Sequence, residues 1–218
     1  MHHPNVVTAL DFGLEDSGRE YLVLDLQENS VPLAQACADQ PVSVHLDSLS
    51  QGLRALHCLH GKGVVHRAIE PSNVVVADGR LKMLDLAFSY SKLSASHALR
   101  RQNSLYDAAE VMRGVAASQV FDLYSLGLVA YHAFTGVFPF SLESVAEREF
   151  EIPRPQDDVD PRRTGMMARL LAFDLNLRFK TALEAFAAIA DVSSEIVLET
   201  ALTRESALQT AQFQPGGW

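Results

Sequence analysis

The residues best suited to chemistry lie in the run V-V-H-R-A-I-E-P-S-N, from Val64 to Asn73, with Asp85 twelve positions further on. Asn73 and Asp85 offer amide and carboxylate oxygens, which are ligand types that magnesium accepts. Magnesium held in this way can carry the phosphates of a nucleotide, and phosphoryl transfer also needs a side chain that orients the attacking hydroxyl. At the centre of the run Ala68 offers no proton acceptor, and Glu70 is the one carboxylate. The run therefore has the metal ligands of a phosphoryl-transfer site without its base.

The composition limits the class of protein and of partner. Hydrophobic residues make up 48% of the 218 residues and charged residues 21%, which predicts one soluble domain with a substantial core. The net charge of -9 argues against nucleic acid or an anionic membrane as the main partner. Cys37 and Cys58 are the only cysteines, so no disulfide framework is possible. No signal peptide follows Met1, and the most apolar segment, Val120–Phe134, is too short to cross a bilayer. We therefore expect a cytoplasmic protein.

Short apolar runs separated by turn residues predict strands. Val6–Phe12 and Tyr21–Leu26 enclose a glycine-containing turn and are expected to pair. Val74–Ala77 and Leu81–Leu84 flank an Asp-Gly pair, which is a strong hairpin signal. From Ser89 to Glu110 the polarity rises and periodicity fades, which predicts a long loop.

Helical spacing of apolar residues dominates the remainder. Val44–His60 carries five leucines at helical spacing, and Val120–Phe134 is apolar nearly all round, as is typical of a buried central helix. The fold class predicted is a mostly helical α+β domain. Shorter helices are expected near Ser141–Phe150, Arg162–Ala172, Thr181–Ala190 and Glu195–Gln212.

Several short motifs follow one another in the order found in eukaryotic-type Ser/Thr protein kinases, over roughly residues 3–190. The run before Asn73 is H-R-A-x-x-x-x-N where that family has H-R-D-x-x-x-x-N, and D-L-A at Asp85 stands where the family has D-F-G. Further matches are H-P-N-V-V from His3, A-A-E ending at Glu110, D-L-Y-S-L-G from Asp122, and D-x-x-x-R ending at Arg178. The chain thus resembles the large, C-terminal lobe of such a kinase with the last one or two strands of the small lobe.

The resemblance implies a nucleotide site. Asn73 and Asp85 would bind magnesium, and ATP would be the nucleotide, although the sequence by itself establishes no cofactor. Both residues could equally be relics that hold the loop by hydrogen bonds. The adenine would lie against a gatekeeper-like residue, two hinge residues and a strand residue, namely Leu24, Asp25, Gln27 and Val75.

The resemblance also implies a structural scaffold around the loop. Asp122 would accept hydrogen bonds from the loop backbone, and Glu110 would form a buried ion pair with Arg178. His66 would pack inside the domain, and Arg67 would act as a structural arginine beside the loop.

Three departures from the family pattern weaken the expected chemistry. Ala68 replaces the aspartate that orients the substrate hydroxyl, and loss of a general base typically costs about 10²–10⁴ in rate. Glu70 stands where these kinases place a lysine, so a carboxylate would face the transferring phosphoryl group. Asn103 falls at the place of the threonine that normally bridges these two residues. The resemblance is therefore to a degenerate member, a pseudokinase.

The N-terminal motifs of the family are missing from these residues: neither the Gly-rich loop nor the V-A-I-K lysine precedes His3. We expect residues 1–28 to be a remnant of the small lobe, 29–191 the helical large lobe, and 192–218 a C-terminal helix or tail. A fragment of a longer protein and a complete gene lacking the small lobe both remain open. In either case the surface that would meet the missing small-lobe helix should be partly apolar and exposed, and such patches mark partner sites or aggregation liabilities.

The expected function is that of a regulatory or protein-binding module with impaired catalysis and a protein partner. The alternative is a Ser/Thr protein kinase, or a truncated chain of one, that retains ATP-dependent phosphoryl transfer to protein. A third alternative is a gene remnant without a selected function. Ala68 and Glu70 favour the first interpretation, whereas Asn73 and Asp85 keep the second open.

Overall fold

The computed structural model describes residues 2–84, 90–91, 104–116, 118–140 and 161–196. Short antiparallel strands occupy the first part of the chain and helices dominate the rest. This is the mostly helical α+β fold that the sequence predicts. Among the described helices, none is long and apolar enough to cross a membrane.

The first sheet is an antiparallel pair of β1 (Ala9–Leu14) and β2 (Glu20–Leu24). The predicted first strand, Val6–Phe12, begins too early, because its start pairs elsewhere. The Val7 backbone N–H donates to the Met83 carbonyl at 2.9 Å, and this segment is buried. Val6 and Val7 therefore lie beside Met83, and the β1–β2 hairpin begins only after them.

The second sheet has the order β3-β5-β6 and is antiparallel throughout, with β3 at Val31–Pro32, β5 at Val74–Ala77 and β6 at Arg80–Met83. The turn between β5 and β6 consists of Asp78 and Gly79, with φ values of 48° and 72°. Both residues are left-handed, as a two-residue turn of the favoured type requires. The predicted hairpin is confirmed.

A third pair of strands, β4 (Val64–Val65) and β7 (Tyr90–Ser91), is antiparallel. The prediction of a continuous loop over Ser89–Glu110 is therefore wrong near its start. It is also wrong at its end, where helix α3 (Ala109–Met112) begins. Residues 92–103 of this prediction lie outside the described residues.

Helix α1 (Leu33–Cys37) is short and was not expected from the sequence. The two longest helices are α2 (Val42–Gly61) and α4 (Gln119–Thr135), which extend the predicted segments slightly at both ends. Helix α5 spans Pro161–Leu170, and residues 182–196 are also helical, which covers the helix predicted at Thr181–Ala190. The helix expected near Ser141–Phe150 and most of Glu195–Gln212 lie outside the described residues.

Close packing of α2, α4 and α5 forms the centre of the core. A Cβ atom at Gly52 would lie 3.1 Å from the side chain of Leu126, and one at Gly127 would lie 2.9 Å from the Cβ of Leu170. The two glycines therefore allow the helices to approach closely. The leucines of α2 that predicted the helix are all buried, namely Leu46, Leu49, Leu53, Leu56 and Leu59.

Candidate functional site

The H-R-A loop follows β4, and its backbone is hydrogen-bonded to Asp122, which lies in the first turn of α4. The Asp122 carboxylate is fully buried. Its Oδ1 accepts a hydrogen bond from the Arg67 backbone N–H at 2.9 Å, and its Oδ2 accepts one from the His66 N–H at 2.8 Å. The His60 ring lies 2.8 Å from the same Oδ2. Arg67 has a φ of 68°, so the carboxylate stabilises a loop conformation that a non-glycine residue rarely adopts.

Ala68 lies at the centre of this loop and is only 1% exposed. The Asn73 side-chain amide donates from Nδ2 to the Ala68 carbonyl at 2.8 Å. This bond leaves Asn73 Oδ1 as the oxygen that could face a metal. Asp85, the other predicted metal ligand, lies outside the described residues. Within the part of the chain that the structure describes, no three His, Cys, Asp or Glu side chains are grouped to hold a metal ion.

Glu70 is bound through both carboxylate oxygens by serine hydroxyls. The Ser72 Oγ donates to Oε1 at 2.9 Å, and the Ser104 Oγ donates to Oε2 at 3.2 Å. Sequence reasoning pointed to Asn103 as the residue near this position, and Asn103 lies outside the described residues. Ser104 was missed because nothing in the spacing of residues 34 positions apart predicts the contact.

The residues expected to face adenine lie on strand β2, in the segment that follows it, and on strand β5. Leu24, at the end of β2, is half-buried, and Val75, on β5, is 9% exposed. The Asp25 backbone N–H donates to the Thr8 carbonyl at 2.9 Å. The Gln27 side chain instead donates to Asp78 Oδ2 at 3.1 Å, so it reaches the β5–β6 turn. Asn73 Oδ1 and the apolar side chain of Val75 are compatible with a metal–nucleotide ligand.

A second buried contact joins Glu110, in helix α3, to Arg178, in the segment after helix α5. Arg178 is 1% exposed, and its guanidinium donates to Glu110 Oε1 at 2.6 Å. Its Nε and second terminal nitrogen both donate to the Ala172 carbonyl, at 2.9 and 2.8 Å. The guanidinium also lies over the Tyr124 ring, 4.6 Å from its centroid. Such a buried charge needs its partners in place.

Gln51 is a structural residue that sequence reasoning missed. It is 7% exposed, and its Oε1 accepts hydrogen bonds from the Leu81 N–H at 2.8 Å and from Asn5 Nδ2 at 2.9 Å. It thereby links α2 to β6 and to the chain that precedes β1. The signal in the sequence that could have indicated this role was a polar residue among the leucines of helix α2.

Comparisons with known proteins agree with this architecture. A sequence model described as the protein kinase domain matches residues 1–187. The DNA damage-responsive serine/threonine-protein kinase RqkA of Deinococcus radiodurans is 31% identical over 205 residues, which cover 87% of this chain and 30% of that protein. The serine/threonine-protein kinase Pkn1 of Myxococcus xanthus is 26% identical over 230 residues, covering 99% of this chain and 32% of that protein.

A third relative is the serine/threonine-protein kinase PknA of Mycobacterium tuberculosis, which is 28% identical over 197 residues. That match covers 83% of this chain and 46% of PknA. The chain thus spans less than half the length of each of these three relatives. The family match extends over most of the chain and includes the H-R-A loop. The chain belongs to the protein kinase domain family.

Proposed function

We propose that this chain is a kinase-fold regulatory or protein-binding module whose catalysis is impaired. The observation that carries the proposal is the buried methyl group of Ala68 in a loop whose backbone is hydrogen-bonded by side chains on either side of it. The Asp122 carboxylate and the Asn73 amide both bind the loop backbone, so the scaffold persists around a position that can neither orient nor deprotonate a hydroxyl.

Glu70 supports the same conclusion through charge. Its carboxylate lies two residues after Ala68 and is oriented by the hydroxyls of Ser72 and Ser104. A phosphoryl group gains negative charge on its oxygens during transfer, and efficient sites place cations there. A fixed carboxylate would repel that charge. The arrangement is therefore better suited to holding a loop in shape than to accelerating phosphoryl transfer.

Binding of a nucleotide is compatible with this function. When bound, magnesium and ATP would supply a transferable phosphoryl group and a bridging cation. The residues that would hold them are Asn73, through Oδ1, and Asp85, with Val75 beneath the base and with Leu24 and Gln27 near the hinge. Retention of these residues would let the nucleotide act as a structural ligand.

The β1–β2 hairpin supports a role in protein binding. Four of its apolar side chains are strongly exposed: Leu10 at 62%, Phe12 at 80%, Leu14 at 68% and Leu22 at 44%. Phe12 lies directly opposite Leu22 in the antiparallel register, so these two contribute to one continuous surface. A two-stranded hairpin is marginally stable alone, and a contiguous apolar patch marks a site for a partner.

Site-specific photocrosslinking tests the binding role. Benzoylphenylalanine would replace Phe12 in the chain expressed in its native cells, with the same substitution at the exposed Asp191 as the control. We expect a discrete crosslinked protein from position 12 and none from position 191. Equal crosslinking from both positions, or none from either, would contradict a partner at the hairpin.

A further inference from the structure

An open groove of about 550 Å³ lies between the start of α2, helix α1, strand β3 and the β5–β6 turn. Its volume falls within the range of roughly 300–1,000 Å³ that is usual for specific binding sites. The groove differs from a closed pocket because seven of its lining residues are exposed: Asn29, Gln40, Ser43, Val44, Asp47, Asp78 and Gly79. An open groove of this kind suits a chain that passes through it better than a small molecule that must be enclosed.

The groove has an apolar part. Val31 and Val76 are opposite one another in the β3–β5 pairing and are half-buried. Val44, in the first turn of α2, is 36% exposed, although it lies in a helix whose other apolar residues are mostly buried. These three side chains offer a surface for aliphatic groups of a ligand.

The groove is also negatively charged. Among the described residues that line it, Asp47 and Asp78 are the only ionisable ones, and none is a lysine, arginine or histidine. Among the described residues neither carboxylate forms an ion pair. Their partners are neutral amides: Gln51 donates to Asp47 at 2.7 Å, while Gln27 and Asn29 donate to Asp78 at 3.1 and 2.7 Å. Neutral donors orient a carboxylate without cancelling its charge.

A buried glutamine orients the Asp47 carboxylate and binds the backbone of the turn that carries Asp78. Gln51, which binds Asp47, also donates to the Gly79 carbonyl at 3.1 Å and accepts from the Leu81 N–H at 2.8 Å. The same glutamine therefore connects Asp47 to the turn that carries Asp78. Less conformational freedom is lost on binding when the charged groups are already positioned.

From these observations we infer that the groove binds an extended protein segment in which arginine or lysine residues alternate with aliphatic residues. The cationic groups would contact Asp47 and Asp78, and the aliphatic groups would contact Val31, Val44 and Val76. A guanidinium can bind a carboxylate through two parallel hydrogen bonds, so arginine fits best. The net charge of -9 would speed the encounter with a basic segment. This site involves neither the H-R-A loop nor the β1–β2 hairpin, and it is independent of whether the chain transfers phosphate.

The test uses fluorescein-labelled octapeptides and the whole chain. Each peptide carries two arginines and two leucines in an alanine background, with the arginines separated by one, two or three residues in different peptides. Fluorescence anisotropy should detect binding by at least one spacing with a Kd of about 100 µM or below. Affinity should fall as salt is added, because screening weakens the charge contacts.

The decisive variant is Asp47→Asn/Asp78→Asn. It keeps the side-chain shapes, and asparagine tolerates the left-handed conformation of the turn. We expect at least about tenfold weaker binding. The control, Asp16→Asn/Asp191→Asn, removes the same charge at two exposed positions outside the groove and should bind as the unsubstituted chain does.

A second variant covers the case in which the double substitution unfolds the chain. Val44→Lys adds a cation to the groove at an exposed helical position and removes no hydrogen bond, so it should weaken binding of the same peptide by a similar factor.

The inference is overturned if no octapeptide binds at about 1 mM, or if the groove variants bind as well as the control. Competition by free arginine amide at equal strength would assign the groove to a small cation. Self-association lost in the groove variants would assign it to a second copy. Either result also overturns the inference.

Discussion

The Asp122 carboxylate accepts a 2.9 Å hydrogen bond from the backbone N–H of Arg67, which lies 55 positions earlier in the chain. Arg67 has a φ of 68°, a value that costs free energy in a non-glycine residue. The shape of the H-R-A loop is therefore set by a residue of the central helix. Chemistry can be lost from such a loop while its conformation is kept.

Asp122→Asn should destabilise the protein by about 3 kcal/mol. The amide supplies one acceptor oxygen, whereas the carboxylate supplies two to backbone N–H groups, and the new NH₂ group would face a donor. Urea unfolding followed by circular dichroism measures the change. Asp174→Asn is the control at an exposed position. A loss below about 1 kcal/mol at position 122 would show that the loop does not depend on this carboxylate.

Glu110→Ala should lower the free energy of unfolding by about 3 kcal/mol, because it leaves the Arg178 guanidinium buried with one partner fewer. Glu110→Gln keeps an acceptor oxygen and should cost about half as much. The matched pair on the surface is Arg169–Glu184, at 2.7 Å with both side chains at least 41% exposed. Glu184→Ala, which also removes the acceptor of the Lys180 backbone N–H, should cost about 1–1.5 kcal/mol. Equal costs at positions 110 and 184 would contradict a structural role for the buried pair.

Gly127→Ala should destabilise the protein by about 2 kcal/mol, because the added Cβ would lie 2.9 Å from the Cβ of Leu170. Gly165→Ala is the matched control in helix α5, where an added Cβ meets nothing within 4 Å. That substitution should stabilise the helix by about 0.5–1 kcal/mol. Thermal unfolding of the two variants should therefore shift in opposite directions. Shifts of the same sign would mean that α4 and α5 can separate without cost.

These contacts also show which features the sequence could predict. The lengths of α2 and α4 follow from apolar spacing, and Gly136, with a φ of 73°, ends α4. The β5–β6 hairpin follows from its Asp-Gly turn because local chemistry determines that geometry. Contacts between distant segments were not predictable. Val7 pairs with Met83 and not with β2, because a tertiary hydrogen-bond partner outweighs the local pattern.

The candidate site also combines local features, which the sequence indicates, with contacts between distant segments, which it does not. The loop letters and the spacing from Ala68 to Asn73 could be read from the sequence because the family motif is local, and the role of these residues stays a prediction. The serine contacts of Glu70 join residues from separate segments, so no spacing indicates them. The structural role of Gln51 could not be predicted either, because its partner Leu81 lies 30 positions away.

Cys37 should react with iodoacetamide much more slowly than Cys58 in the native protein. Cys37 is 2% exposed, and burial raises the pKa of its thiol, although the Ser48 hydroxyl partly offsets this. Less thiolate and less access both slow alkylation. Cys58 is more accessible. Mass spectrometry of timed samples should show early modification at position 58 and equal modification of both residues in urea. Simultaneous labelling in the native state would contradict the packing of α1 against α2.

The most direct test of impaired catalysis is a phosphoryl-transfer assay with labelled ATP, magnesium and a general protein acceptor. The unsubstituted chain should give no transfer above that of Asn73→Ala, which removes a proposed metal ligand, because loss of the base alone costs about 10²–10⁴ in rate. The variant Ala68→Asp/Glu70→Lys restores both missing groups and should transfer more than the unsubstituted chain. Magnesium-dependent transfer by the unsubstituted chain that Asn73→Ala abolishes would contradict the account and show that the chain is an active kinase.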